Sequence, residues 1–143
     1  MRRIIFRAKL RENVPAKDIA GKWVYWNVFG EFTTENGKRH TLSGKTSEHS
    51  THFYYNIEYL SGWIDRDTIC MSTGLSDIHR KKIFEGDIVR HYCGAPDDPE
   101  HYVTDTIVWN DKYCGFERTD YRIHADCKYE VIGNIFDNPE ETK

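Results

Sequence analysis

The chain has 143 residues, of which 38% are apolar, 30% charged and 14% aromatic, and this composition is typical of a globular protein rather than a disordered one. It contains no run of about 18 apolar residues and no signal-peptide pattern at its start, so we expect a cytoplasmic protein without a membrane span. The net charge of −3 is uneven, because residues 1–66 carry 11 Lys and Arg against 7 Asp and Glu, whereas residues 67–143 carry 9 against 16. The acidic second half disfavours tight nonspecific binding to nucleic acid.

The first predicted strand covers residues 3–11, where apolar and basic side chains alternate. The even positions from Ile4 to Leu10 are apolar, which predicts one buried face of a half-buried strand. The odd positions predict a basic stripe on the outward face, formed by Arg3, Arg7, Lys9 and Arg11.

The rest of the first half predicts further strands separated by polar connectors. Residues 22–29 are β-branched and aromatic, and Asn36-Gly37 is a pair that readily adopts the positive φ angles of a hairpin turn. The predicted strands are 22–29, 31–34, 38–42 and 53–60, with connectors at 15–21 and 43–52.

The second half is dense in strand and turn signals, with no sustained helical period. The predicted strands are 68–73, 88–92, 102–109, 114–118 and 129–136, with a turn region at 74–82 and an excursion at 94–101. We therefore predict a mainly β, antiparallel protein with little helix. It would comprise an N-terminal β-sheet segment at 1–66, an SH3-like barrel at 67–139 and a frayed tail at 140–143.

Glu85-Gly86-Asp87 is the most informative short motif. Gly86 can adopt positive φ without steric cost, and Asp87 can accept a hydrogen bond from nearby backbone, so an abrupt turn into the strand beginning at Ile88 is predicted. The alternative is that the two carboxylates form a metal site or an acid–base pair. The structural role is favoured, because aspartate in turns has it commonly.

Several motifs occur in order along the chain: Thr73-Gly74-Leu75-x-Asp77, Ile83-Phe84-Glu85-Gly86-Asp87-Ile88-Val89, Val108-Trp109 with Gly115-Phe116, and Val131-Ile132-Gly133-Asn134-Ile135-Phe136-x-Asn138-Pro139. Together with Phe6-Arg7-Ala8, they resemble the YopX family of phage and prophage proteins. The resemblance implies a small β-rich accessory protein with an SH3-like barrel, no assigned activity and no established catalytic residues. The turn positions that we assign a structural role are Gly74, Asp77, Glu85, Gly86, Asp87, Gly133 and Asn134.

Two departures from the family pattern affect these expectations. His79 and Arg80 stand where the family often has Asn-Gly, so we expect a wider or differently shaped turn there. The chain also ends without the usual apolar residue after Pro139, which weakens a docking role for the tail.

The remaining candidates for chemistry are weaker. The basic cluster His79-Arg80-Lys81-Lys82, with the N-terminal stripe, could follow a phosphate backbone, or could simply be a solvated surface. His49 and His52, with His40 nearby, could bind a metal, but they lie in a predicted loop where spacing fixes no geometry. His91 and Cys93 share one face of a predicted strand, but a third ligand would have to come from elsewhere. A thiol nucleophile at Cys114 or Cys127 with His124 has no local signature. All four cysteines are expected to be free thiols: Cys70, Cys93, Cys114 and Cys127.

The sequence therefore favours a noncatalytic binding module without cofactor or metal, acting in the cytoplasm of a bacterial host. The expected partner is a macromolecule, and a protein rather than a nucleic acid. Binding to a membrane is not expected. A homo-oligomer is also predicted. The alternatives are a metal-dependent hydrolase or nuclease using Glu85 and Asp87, and an architectural subunit of a homo-oligomer.

Overall fold

The computed structural model describes residues 4–15, 17–27, 31–34, 39–41, 62–92, 102–118, 121–123 and 128–142. Strands dominate these ranges, and every paired strand is antiparallel to its neighbour. The prediction of a mainly β, antiparallel protein is therefore confirmed. The chain divides into two compact units, Met1–Met71 and Ser72–Lys143.

The first unit is built on an antiparallel sheet in the order β4-β3-β2-β1. The predicted hairpin is confirmed, since Glu31 pairs with Thr41 and Thr33 with Arg39. Its turn at Asn36-Gly37 lies outside the described residues, as do the predicted loop at 43–52 and strand at 53–60. The strands are β1 (Ile5–Lys9), β2 (Trp23–Asn27), β3 (Glu31–Thr34) and β4 (Arg39–Thr41).

The core of the first unit forms where the apolar face of β1 meets β2 and its connector. Ala8 is fully buried and Leu10 nearly so. The cluster also contains Ile19, Val24 and Ile64, with the indoles of Trp26 and Trp63 packed against it. The alternation of β1 thus predicted the burial of Ala8 and Leu10 correctly, whereas Ile4, predicted on the same face, is 43% exposed.

Arg7 corrects the predicted basic stripe. Its side chain is only 3% exposed, and its guanidinium carbon lies 4.5 Å from the centre of the Trp23 ring. Arg7 pairs with Tyr25 of β2 on one edge and with Cys70 on the other, so β1 is an inner strand. The Trp23 ring covers Arg7 on the second face of β1. Lys9 lies near the same ring, while Arg11 is exposed and Arg3 lies outside the described residues.

The passage toward the second unit begins with a 3-10 helix, Arg66–Thr68, where the sequence predicted the start of a strand. The Thr68 hydroxyl accepts a hydrogen bond from Lys9 N–H at 2.8 Å, which ties this helix to β1. The strand itself, β5 (Cys70–Ser76), begins later and runs into the predicted turn region. Its first residues pair with β1 through Phe6↔Met71.

The second unit contains a sheet in the order β10-β9-β8-β7-β11, together with the hairpin formed by the end of β5 and β6. In the described part of the chain β10 and β11 are the two ends of this order, so these strands do not close into a barrel. The chain ends in a 3-10 helix, Pro139–Thr142, where the sequence indicated a frayed tail. The strands are β6 (Lys82–Phe84), β7 (Asp87–Tyr92), β8 (Tyr102–Asn110), β9 (Gly115–Arg118), β10 (Tyr121–Arg122) and β11 (Tyr129–Asn134).

Candidate functional site

The turn between β6 and β7 is clamped by the Asp87 carboxylate. Asp87 has 0% exposure, and its Oδ2 accepts a hydrogen bond from Phe84 N–H at 2.8 Å. Gly86 has a φ of +79°, and its N–H donates to the carbonyl of Ile107 at 2.8 Å. A Cβ on Gly86 would also lie 3.3 Å from the Phe136 ring, so both conformation and space favour glycine here.

Glu85 and Asp87 occupy different environments. Burial raises the pKa of Glu85, and this outweighs the lowering effect of a hydrogen bond with the Trp109 backbone. Asp87 is closed off from solvent by the turn that it clamps. Among the described residues, no three His, Cys, Asp or Glu side chains are grouped closely enough to hold a metal ion. The Asp87 carboxylate therefore acts as the clamp of this turn.

A second carboxylate, Asp77, organises the turn that carries the basic cluster. Asp77 Oδ1 accepts hydrogen bonds from His79 N–H and Lys81 N–H, both at 2.8 Å, and Oδ2 accepts one from Val131 N–H at 3.2 Å. The turn is closed by Asp77 N–H donating to the Lys81 carbonyl at 2.8 Å. Arg80, which stands where the family often has glycine, has a positive φ of +65° in this turn, and a wider or different turn shape than in the family stays a prediction.

The same contacts protect the outer edge of β11. Ile78 N–H donates to the Tyr129 carbonyl at 2.9 Å, and the Asp77 side chain takes the next outward N–H, that of Val131. At the other end, Asn138 Oδ1 accepts from Asn134 N–H at 3.3 Å. Gly133 permits this, because a Cβ there would lie 2.6 Å from Asn138 Oδ1. These bonds occupy edge groups that could otherwise recruit another strand.

Asp77 should make the stability of the protein depend on acid pH. Burial raises the pKa of Asp77, but the hydrogen bonds from Val131, Lys81 and His79 outweigh it and hold the pKa below its ordinary value. A depressed native pKa stabilises the fold above the unfolded-state pKa, and this stabilisation is lost as pH falls through the native value. We expect urea unfolding at pH 7 to show Asp77→Asn less stable by about 2 kcal/mol. The difference in unfolding free energy between wild type and Asp77→Asn should narrow as pH falls from about 4 to 2. A difference that stays constant over this range would contradict the assignment.

The other predicted turn residues have separate places. Gly74, with a φ of +85°, lies within β5 at the irregularity in its pairing with β6, rather than in a turn. Asn134 closes β11, since its Oδ1 accepts from Phe136 N–H and Asp137 N–H, both at 3.0 Å. The predicted strand at 114–118 begins at Gly115, while Cys114 lies in the preceding turn with a φ of +51°.

A row of contacting side chains crosses the solvent-facing side of the sheet in the second unit. His79 Nε2 lies 3.5 Å from Glu130 Oε1, and Glu130 Oε2 accepts from Arg90 Nε at 3.1 Å and also from Arg90 Nη2. The Arg90 guanidinium lies 5.5 Å from the centre of the Tyr102 ring, which meets the Tyr92 ring edge-to-face at 5.7 Å. We call these five residues the outer-face row.

The outer-face row carries both charge and exposed aromatic surface. Arg90 holds the pKa of Glu130 below its ordinary value, against an opposing effect of burial. Tyr92 is 40% exposed and Tyr102 56% exposed, although they stand directly opposite each other in the β7–β8 register. Of the basic cluster predicted at 79–82, His79 therefore joins a larger surface that the sequence did not reveal.

A buried polar cluster lies on the opposite side of the same strands. Asp105 Oδ2 accepts from Arg118 Nη1 at 3.1 Å and lies 2.8 Å from His91 Nε2. The His91 ring also meets Tyr129 edge-to-face at 5.7 Å. Burial lowers the pKa of Arg118, but the Tyr129 and Asp105 side chains outweigh it and raise that pKa. The four strands β7, β8, β9 and β11 each contribute one member.

Sequence reasoning singled out only His91 of this cluster, as a metal ligand with Cys93. Cys93 lies outside the described residues, and His91 Nε2 is engaged by Asp105. A signal was present, because His91 follows Val89 on the inward side of β7, and a buried polar group needs a partner. That the partner is Asp105 follows only from the pairing of β7 with β8.

A smaller aromatic cluster occupies the β8–β9 turn. Glu117 Oε2 accepts from Tyr113 Oη at 2.6 Å and from Asn110 Nδ2 at 2.9 Å. The Arg122 guanidinium lies 4.2 Å from the centre of the Tyr113 ring. Burial and the Glu117 carboxylate raise the pKa of Tyr113 to about 12. This cluster fastens β9 and β10 to their turn.

Neither of the described cysteines, Cys70 and Cys114, forms a disulfide. The Cys70 thiol is buried and donates to the Thr68 carbonyl at 3.2 Å, whereas Cys114 is exposed. Of the other candidate ligands and nucleophiles, His40 belongs to β4, and the rest lie outside the described residues: His49, His52, His124 and Cys127.

No helix in the described ranges has the length and apolar character needed to cross a membrane.

Comparison with known proteins supports the motifs noted in the sequence. The family described as YopX protein matches residues 16–142. The chain is also similar to the protein in the "Crystal structure of protein EF1440 from Enterococcus faecalis", with 21% identity, coverage of 98% of each chain and a TM-score of 0.44. No curated protein matches. Because the family match extends over most of its length, this chain belongs to the YopX protein family.

Proposed function

We propose that this protein is a noncatalytic binding module that a phage or prophage uses in the cytoplasm of its bacterial host, and that its partner is a protein. The observation that carries the proposal is the exposed Tyr92–Tyr102 pair, held in contact with Arg90 on neighbouring strands. Tyrosine and arginine are the side chains that, with tryptophan, most often dominate the energy of protein interfaces.

The setting of this pair suits binding. The two tyrosines face each other across a regular antiparallel ladder, so little conformational freedom would be lost when a partner covers them. Arg90 is held by Glu130 in a hydrogen-bonded ion pair, which orients its guanidinium against the Tyr102 ring. A preorganised aromatic surface of this kind requires no rearrangement on association.

The charges favour a protein over a nucleic acid. The Glu130 carboxylate stands in the middle of the outer-face row and offsets the charge of Arg90. Residues 67–143 as a whole carry 16 acidic against 9 basic residues, which repel a phosphate backbone at long range.

The proposal includes an SH3-like barrel for residues 67–139 that is open between β10 and β11, the two ends of the strand order in the described residues. The two-residue connection at Glu85-Gly86 and the succession of antiparallel strands β7, β8 and β9 support it. Such a frame would present the tyrosine pair on a rigid sheet.

Quantitative affinity capture tests this function. Tagged wild-type protein, a Tyr92→Ala/Tyr102→Ala variant and an Ile69→Ala control would be expressed in cells carrying the induced phage, and nuclease-treated lysates compared by mass spectrometry. Ile69, at 45% exposure, is a matched apolar surface position in the first unit.

We expect a discrete set of proteins to be captured by wild type and by the control, with their recovery reduced at least tenfold for the tyrosine variant. Equal recovery by all three forms, with unchanged melting temperatures, would contradict the proposal. Capture of the chain's own untagged copy alone would point instead to a homo-oligomer.

A further inference from the structure

The turn from Ile78 to Lys82 concentrates positive charge in an otherwise acidic part of the chain. Arg80, Lys81 and Lys82 are all exposed. Within the described ranges none of these three side chains forms an ion pair, whereas Arg90 and Arg118 both do. Their charge is therefore available to a partner.

The backbone of this turn accommodates an arginine at a position where glycine is easier. Arg80 has a φ of +65°, in the left-handed region that a residue with a Cβ adopts at a steric cost. The conformation is imposed by the surrounding bonds, since Arg80 N–H donates to the Asp77 carbonyl at 3.0 Å and the Asp77 side chain holds both flanking residues. The turn therefore holds a long cation at a position where glycine would meet no steric cost.

The cationic turn is continuous with the outer-face row. His79 links it to Glu130, and Glu130 links it to Arg90 and so to Tyr102. β11 and β8 are separated by one intervening strand and so lie about 10 Å apart across the sheet. The turn is bonded to the outer edge of β11, beyond which its cations lie. Ile78, at 54% exposure, adds apolar surface at the cationic end.

We propose that this turn receives an acidic segment of the partner protein, and that an aromatic or apolar side chain of the same segment contacts Tyr92 and Tyr102. This inference rests on the proposed function and specifies the chemistry of its partner. Three unpaired cations fit carboxylates, and the tyrosine pair fits an uncharged side chain. The Glu130 carboxylate between them disfavours a nucleic acid, whose evenly spaced phosphates would pass over it.

A random copolymer of glutamate and tyrosine is a suitable probe, with polyglutamate and an oligothymidylate as comparisons. Binding of the labelled polymers to the full chain would be followed by fluorescence anisotropy at low and high salt. The variants are Arg80→Gly, Lys81→Glu/Lys82→Glu and Tyr92→Ala/Tyr102→Ala. Lys112→Glu, in the exposed turn at the other end of β8, is a charge-reversal control, and Lys81→Glu alone is the variant that matches its charge change.

We expect wild type and Lys112→Glu to bind the copolymer equally, more tightly than polyglutamate, and more weakly as salt rises. The lysine reversal should weaken binding at least tenfold. Arg80→Gly should weaken it while keeping or raising the melting temperature, which a purely structural Arg80 would not do. The tyrosine variant should bind both polymers alike.

Equal binding by the lysine reversal and wild type would overturn the inference, as would an equal loss with Lys112→Glu or tighter binding of the oligothymidylate. If the inference is overturned in this way but the tyrosine variant still fails to capture the cellular partner, the proposed function stands. Only the acidic segment is then excluded. If copolymer binding follows the turn but no cellular protein depends on the tyrosines, the proposed function fails instead.

Discussion

Replacing Asp105 by alanine is expected to lower the free energy of unfolding by about 3 kcal/mol, because it removes one member of a buried charged pair. The Asp105 side chain is 9% exposed and that of Arg118 17%. Without the carboxylate, the Arg118 guanidinium and His91 Nε2 would remain buried beside a cavity. Arg118 keeps its contact with Tyr129, so we place the loss at the lower end of the range for broken buried pairs. Urea unfolding at pH 7 measures it.

Two further variants separate the charge effect from a general loss of packing. Asp105→Leu/Arg118→Met removes both charges and refills the volume, so it should be more stable than Asp105→Ala. Asp111→Ala is a control at an exposed carboxylate that accepts from Trp109 Nε1 at 2.9 Å, and it should cost less than about 1 kcal/mol. If Asp105→Ala resembled Asp111→Ala, the cluster would not stabilise the sheet.

Replacing Asp87 by alanine is expected to cost about 3 kcal/mol, since the buried Phe84 N–H would lose its acceptor and a small cavity would form. Asp87→Asn retains an acceptor oxygen and should recover part of the loss. Glu85→Ala should change stability by less than about 1 kcal/mol, because the Glu85 side chain is only half-buried.

The same variants address the alternative of a metal-dependent hydrolase or nuclease. Elemental analysis and a nuclease assay with magnesium or manganese would accompany the unfolding experiments. A folded Asp87→Ala protein of wild-type stability that has lost metal or hydrolytic activity would favour the alternative. Destabilisation without any such activity in wild type would support the clamp.

The local chemistry of the chain predicted much of the second unit. Gly86 and Asp87 indicated the turn that the structure contains, because positive φ and side-chain capping are properties of single residues. Alternation predicted the burial of Ala8 and Leu10 on β1, and the strand and turn signals of the second half predicted β7 and β8. The boundaries moved by a few residues where hydrogen bonding to a neighbouring strand extended or delayed a strand, as at β5.

The predictions that failed concern which side chains cover each face of a strand. Arg7 was predicted to be exposed because its neighbours alternate, yet Trp23 covers it. His91 shows the same limit, since period two places it inward but does not reveal Asp105 on the next strand.

The candidate surface divides along the same line. The sequence by itself determined that a basic cluster follows Ile78 and that tyrosines end β7 and begin β8. Only the tertiary structure decided that His79, Glu130, Arg90 and the tyrosine pair form one surface, because strand register joins residues distant in the chain. Turn geometry is encoded within a few residues, so the Glu85-Gly86-Asp87 turn could be predicted from the sequence alone. Contacts between strands depend on pairing across the sheet, which no local pattern specifies.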